Sequence, residues 1–230
     1  MFATPKYAAT AAIVRDGAHN IEVLLMKRHS EDKFLPNYHV FPGGAMELQD
    51  YDYEISSAKK FAHIKKFGGD YKRYYGFIMC AIRETFEESG ILLAVDENGS
   101  YPSINTKDLI KRFTGYRKLV FENDLSFKEM LMKEKLTPAI DNIFYIDRHI
   151  TPPISPIRYD TRFFVSIVPA NQEISHDGNE LTDFEWLTPA EALRKYKENK
   201  MKFVRPTIKT LEFLERFNSA DKLKAYFDKI

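Results

Sequence analysis

Residues 83–91 read Arg83-Glu84-Thr85-Phe86-Glu87-Glu88-Ser89-Gly90-Ile91, three carboxylates beside a guanidinium. On a helix turning about 100° per residue, with Glu84 as origin, Glu88 lies at about 40° and Glu87 at about 300°. The three acids share one side and can converge on a point. Ile78, Ile82 and Phe86 lie at about 120°, 160° and 200°, an apolar stripe almost opposite, so the acids are expected to face away from the core. Like charges about 6 Å apart repel by roughly 0.7–3 kcal/mol per pair at effective dielectric constants between about 80 and 20. Arg83 reaches Glu87 four residues on, in the less favourable order, and leaves two negative charges over. A hard divalent cation resolves such an excess, because Mg²⁺ or Mn²⁺ takes carboxylate oxygens and keeps positions open for water and phosphate. Acidic helix faces are more often simply solvated, and the glutamates alone leave both readings open.

The elements that must hold this stretch follow from pattern. Two β-rich runs, residues 8–15 and 21–28, flank the turn Asp16-Gly17-Ala18-His19-Asn20 and predict a hairpin. A brief strand then ends in the corner Pro42-Gly43-Gly44. A polar helical pattern covers residues 55–66, and Gly68-Gly69 breaks it. The acid-bearing helix is predicted from about 72 to 89, with Gly90 as its left-handed terminator. A strand at 91–95 and a mostly helical stretch at 106–136, read from Leu109, Phe113 and Leu131, come next. Strands are expected at 143–146, 161–168 and 182–187, with the rigid Thr151-Pro152-Pro153-Ile154-Ser155-Pro156 between the first two. Thr188, Pro189 and Glu191 spell a capped helix start, and Pro206 opens a last amphipathic helix over about 206–217. Without repeats or a low-complexity linker, residues 1–230 are read as one α/β domain.

Composition narrows the partners. Lys plus Arg number 34 against 33 Asp plus Glu, so a net charge of +1 offers no field to a nucleic-acid backbone or an anionic membrane. Neither nucleic acid nor membrane is therefore an expected partner; the chain is expected to be a monomer or homodimer. The apolar run at residues 8–14 is bracketed by Lys6 and Arg15-Asp16 and reads as a strand rather than a leader. No stretch reaches the roughly 18 apolar residues of a membrane span. Cys80 is the single cysteine, which excludes an intramolecular disulfide and suits a reducing compartment, the cytoplasm being the expectation. His19, His29, His39, His63, His149 and His176 lack the paired spacing of a zinc site. Lys27, Arg28 and Arg73 could meet phosphates or only water, and the aromatic residues of 71–75 could stack on a base or simply cover the helix.

Gly44 followed by Arg83-Glu84-Thr85-Phe86-Glu87-Glu88-Ser89-Gly90-Ile91 resembles the Nudix box, G-x5-E-x7-R-E-U-x-E-E-x-G-U with U apolar. Thr85 stands at an apolar position, and Gly44 and Arg83 are 39 positions apart where the pattern has 14, so 25 residues are inserted. Asp50 occupies the place of the first glutamate, with Glu47 and Glu54 as other candidates. An interrupted box is a feature of the coenzyme A diphosphatase branch of that family. Phe41-Pro42-Gly43-Gly44, Tyr159-Asp160-Thr161-Arg162-Phe163-Phe164 and Glu185-Trp186-Leu187-Thr188-Pro189-Ala190 resemble the same branch in order and spacing.

The resemblance implies an α/β/α sandwich with a mixed β-sheet and helical insertions at about 51–75 and 106–136. It implies metal-dependent hydrolysis of a diphosphate bond, in coenzyme A or acyl-CoA, giving 3′,5′-ADP and (acyl)phosphopantetheine. ADP-ribose or a nucleotide sugar is the alternative substrate, and a catalytically inactive nucleotide sensor the alternative role. Carried over to this sequence, Glu84, Glu87, Glu88 and the Gly44 carbonyl would ligate Mg²⁺ or Mn²⁺, and Arg83 would orient the glutamates. Glu180, in Asp177-Gly178-Asn179-Glu180, would be base or ligand, with Asp177 and Asp183 behind it. Arg28, Phe41, Gly43 and Gly44 would touch substrate.

Overall fold

Strand β1 (Lys6–Asp16) is buried on both faces, and its residues alternate between two apolar clusters. In the computed structural model, which describes residues 3–53, 70–169, 172 and 181–229, Ala9, Ala11 and Ile13 join one cluster and Ala12 and Val14 the other. Strand β2 (Ile21–Arg28) does the same, Leu24 and Met26 against Ile21, Val23 and Leu25. A strand apolar on both faces needs helices on both.

β1 runs parallel to β8 (Tyr159–Ile167), from Lys6 opposite Tyr159 to Val14 opposite Ile167. Its other edge is shared. β4 (Gly43–Ala45) pairs with Ala8–Thr10 and β2 with Val14–Asp16, both antiparallel. β3 (His39–Val40) and β9 (Leu181–Leu187) add to β2, and β7 (Ile143–Ile150) to β8, so the described residues form a mixed sheet of seven strands. β5 (Ala94–Val95) and β6 (Thr137–Pro138) form a separate pair.

Helices α1 (Tyr71–Ser89), α2 (Lys107–Phe121) and α3 (Phe127–Lys133) cover the first cluster through Ile78, Ile82, Phe86, Phe113 and Met130. Helices α4 (Pro189–Lys197), α5 (Arg205–Leu214) and α6 (Ala220–Phe227) cover the second through Leu193, Leu211, Leu223 and Phe227. This is the expected α/β/α sandwich. Among the described residues no helix is long and apolar enough to cross a membrane.

Several boundaries differ from expectation for local reasons. The strand predicted at 91–95 pairs only at Ala94–Val95. The stretch 106–136 breaks where Asn123 takes a positive φ of 60°, and Ser126 with Glu129 then caps a second helix. The last predicted helix, about 206–217, stops at Leu214, and the Ser219 side chain, accepting from the Lys222 N–H, starts a further one. β7 continues past 146 because β8 begins at Tyr159 and supplies partners up to Ile150. Of the 51–75 insertion, residues 71–75 open α1, while the helix predicted at 55–66 lies outside the described residues.

Candidate active site

α1 is set by its ends. The Asp70 carboxylate accepts the Arg73 N–H at the start, and Gly90, at φ 75°, closes the other end with its N–H on the Phe86 carbonyl. Thr85, polar at an apolar position of the pattern, is fully buried and satisfied: its hydroxyl donates to the Ala81 carbonyl at 2.7 Å. The acid-bearing side does not face outward. Glu87 and Glu88 are only 9% and 6% exposed, because β4 and the turn Leu48–Tyr51 fold across the side opposite the apolar stripe. A single helix wheel contains no information about elements that close over its second face.

Arg83, 1% exposed, is the hub of this closure. It grips Asp50 with a fork, Nε to Oδ1 at 2.9 Å and Nη2 to Oδ2 at 3.1 Å. Nη2 also donates to the Ala45 carbonyl at 3.1 Å, tying α1 to β4. Nη1 lies 3.0 Å from Glu84, 3.1 Å from Glu87 and 3.9 Å from Glu47. Asp50, at the place of the first glutamate of the box, is thus the bidentate partner of Arg83, Glu47 is peripheral, and Glu54 lies outside the described residues. The Gly43 N–H donates to Glu88 Oε2 at 2.8 Å. Glu84 lies so close to Gly44 that a Cβ there would be 2.4 Å from its Oε1. The acids and the Pro-Gly-Gly bend meet across the 25-residue insertion.

Four carboxylates around one guanidinium leave the site negative. Burial pushes the Glu84 carboxyl up to about 8, with Glu87 and Asp50 adding to the rise and Arg83 opposing it. Burial likewise raises Glu87 and Asp50 despite their bonds to Arg83. Arg83 itself is disfavoured by burial, but the Asp50 bonds and the charge of Glu84 outweigh that and raise its pKa. Glu84, Glu87, Glu88 and the Gly44 carbonyl are all oxygen donors, and their surplus charge fits a hard divalent cation. Among the described residues no three His, Cys, Asp or Glu side chains are arranged to hold a metal ion; Glu84 and Glu87 turn to Arg83, and Glu88 to Gly43.

A family model described as the NUDT19 Nudix domain matches residues 61–214. The chain belongs to the Nudix family. Two Nudix relatives named acyl-coenzyme A diphosphatase NUDT19 are 31% identical (Xenopus laevis) and 27% identical (Gallus gallus), over 92% and 91% of this chain. The chain spans 64% and 65% of their lengths. The crystal structure of a Nudix hydrolase from Alicyclobacillus acidocaldarius, 27% identical, superposes with a TM-score of 0.74 over 98% of this chain and 97% of that one.

Beside the Nudix glycines lies a cavity of about 400 Å³, a size suited to a small ligand. Arg28, Phe41, Gly43 and Gly44 all line it. Arg28 is held there by its Nε, which donates to the Phe34 carbonyl at 2.9 Å and lies 3.1 Å from Asp32. Sequence reasoning missed the remaining walls: the edge-to-face pair Phe34 and Tyr159 at 5.1 Å, the loop from Thr151 to Ser155, and Val204 with Pro206. The Pro-rich stretch 151–156 was legible as a rigid connector, but nothing local places it over the glycines.

Glu180 and Asp177 fall outside the described residues. Asp183 sits in β9 opposite Lys27, its carboxylate accepting the neighbouring Phe184 N–H. Arg73 pairs with Asp70 at 3.2 Å and lies over Tyr7. A residue outside the Nudix box also reaches it: Arg117 of α2 donates through Nε and Nη2 to the Glu87 and Glu88 carbonyls, each at 2.6 Å. Its signal was a guanidinium about 40° from Phe113 and 60° from Val120 on the buried stripe of α2, where a charge needs a buried partner.

Proposed function

We propose that the chain is a Mg²⁺- or Mn²⁺-dependent diphosphatase that cleaves coenzyme A or acyl-CoA into 3′,5′-ADP and (acyl)phosphopantetheine. The observation that carries this is the buried carboxylate cluster around Arg83, pressed on Gly43 and Gly44 at the wall of a ligand-sized cavity. The names of the Xenopus and chicken relatives support the choice of substrate. A net charge of +1 supports a small-molecule partner over a polyanion for a monomer or homodimer, and the lone buried Cys80 supports a reducing compartment such as the cytoplasm.

Glu84, Glu87, Glu88 and the Gly44 carbonyl would hold the cation. Bound there, a divalent cation would supply charge to neutralise the diphosphate and Lewis acidity to activate a water molecule. Arg83 holds Glu84 and Glu87 beside one guanidinium while Asp50 anchors Arg83 from behind, so these two acids are kept close rather than dispersed by repulsion. Gly43 holds Glu88 with its amide, and the absence of a side chain at Gly44 lets Glu84 lie directly against it. Arg28, pinned by Phe34 and Asp32, offers positive charge to substrate phosphate within the cavity. Glu180 is the proposed base.

The test is a panel of CoA, acyl-CoA, ADP-ribose and a nucleotide sugar, incubated with Mg²⁺ and with a chelator, products read by mass spectrometry. Chelator-sensitive release of 3′,5′-ADP from CoA or acyl-CoA is expected. Turnover of ADP-ribose with inert CoA compounds would overturn the substrate, and turnover of nothing would favour the sensor reading.

A further inference from the structure

The last carbonyls of a helix have no donor within it, and at a buried helix end they must find one elsewhere. At the end of α1 the Gly90 N–H serves Phe86, and the next two carbonyls, of Glu87 and Glu88, are served by Arg117 at 2.6 Å each. The fork is charge-assisted, and a cation at a helix C-terminus also complements the helix dipole. Arg117 is itself buried, 6% exposed, and α2 is held in place by Phe113 and Val120 in the core. Glu87 and Glu88 are therefore fixed at both ends, their carboxylates by Arg83 and Gly43 and their peptide groups by Arg117.

The geometry points to Arg117 as a positioning residue: it locks the last turn of α1 so that Glu87 and Glu88 are presented together to the cation. This rests on the reading of those glutamates as ligands. It also gives the 106–136 addition, which lies outside the box, a role in the chemistry. Lysine keeps the charge but cannot reproduce a planar two-pronged fork, and methionine keeps only an unbranched apolar stem and loses both charge and fork.

The test measures Mn²⁺ binding to the intact chain without substrate, by electron paramagnetic resonance, for wild type, Arg117→Lys and Arg117→Met. Arg112→Lys, on the exposed side of α2 where it pairs with Glu134 at 3.2 Å, is the control. Both Arg117 variants should bind Mn²⁺ at least about 10-fold more weakly, the usual effect of losing a group that supports a metal ligand. The Mg²⁺ concentration for half-maximal hydrolysis should rise in parallel, the KM for CoA at saturating metal should hold, and Arg112→Lys should match wild type. If Arg117→Met does not fold, Arg117→Lys decides. Wild-type Mn²⁺ affinity in the folded variants, with only a lowered Tm, overturns the positioning role and leaves Arg117 a helix cap. A wild type that binds no Mn²⁺ overturns the metal reading itself, and the role with it.

Discussion

Gly44→Ala separates site geometry from fold. A Cβ at position 44 would lie 2.4 Å from Glu84 Oε1, whereas ordinary van der Waals contact begins at 3.4 Å, so the carboxylate must retreat by about 1 Å. The obstructing atoms are the tip of one flexible side chain, and the fold can absorb the move by rotating it. The backbone carbonyl at 44 is untouched, which isolates the placement of Glu84. A displacement of about 1 Å at a reacting centre costs on the order of 100-fold in rate. Gly43→Ala is the contrast, because its Cβ would meet the Ala9 carbonyl oxygen at 2.4 Å and the Thr10 Cα at 2.6 Å, both backbone atoms of β1. Overpacking of that kind costs about 1–3 kcal/mol. CoA hydrolysis at saturating Mg²⁺ and thermal melting should therefore split the pair: Gly44→Ala slow with a near wild-type Tm, Gly43→Ala with a Tm lower by several degrees. Wild-type turnover by Gly44→Ala, or equal destabilisation of both, refutes the assignment of Glu84 against this glycine.

Asp50→Ala should destabilise by about 2–3 kcal/mol in urea titrations, below the 3–5 typical of breaking a buried pair because Glu84, Glu87 and Ala45 still engage Arg83; an unchanged midpoint argues against Arg83 as the hub. Glu87→Gln and Glu88→Gln should abolish hydrolysis while circular dichroism stays native, since a Gln carbonyl can still accept from Arg83 or Gly43; intact turnover removes the metal mechanism. Burial opposes the charge of Asp160, but Arg148 and Arg162 outweigh it and hold the carboxyl below its usual value. A carboxyl lowered in the folded state contributes stability that is full above the unfolded value, about 3.9, and lost as pH falls through the lowered one. Asp160→Asn should therefore be less stable than wild type at neutral pH, with the gap narrowing in strong acid; a gap independent of pH contradicts the pairing.

What was legible and what was not divides along the range of the forces involved. α1 was readable because its signals are local: the stripe Ile78, Ile82, Phe86 repeats every four residues and Gly90 marks the stop. The sandwich was expected from the resemblance to the Nudix box, and the structure accounts for it physically, since β1 and β2 are buried on both faces. The hidden side of α1 was not readable, since Leu48–Tyr51 and Gly43–Ala45 reach it only after a long excursion of the chain. Asp50 was ambiguous among neighbouring acids until its fork with Arg83 was seen. Arg117 and the cavity wall at Tyr159 depend on tertiary placement, although a charge on the apolar stripe of α2 was a usable warning.

The parallel ladder between β1 and β8 has a bearing on when this site can exist at all. The strand that carries Gly43 and Gly44 on one margin has partners on its other margin about 150 positions later, Lys6 beside Tyr159. Closing so large a loop is entropically late, and topologies rich in such distant pairings fold slowly. A nascent chain still lacking residues 159–167 has the entire acidic motif but not the strand that braces its scaffold, so the site's framework is completed only once β8 has been made.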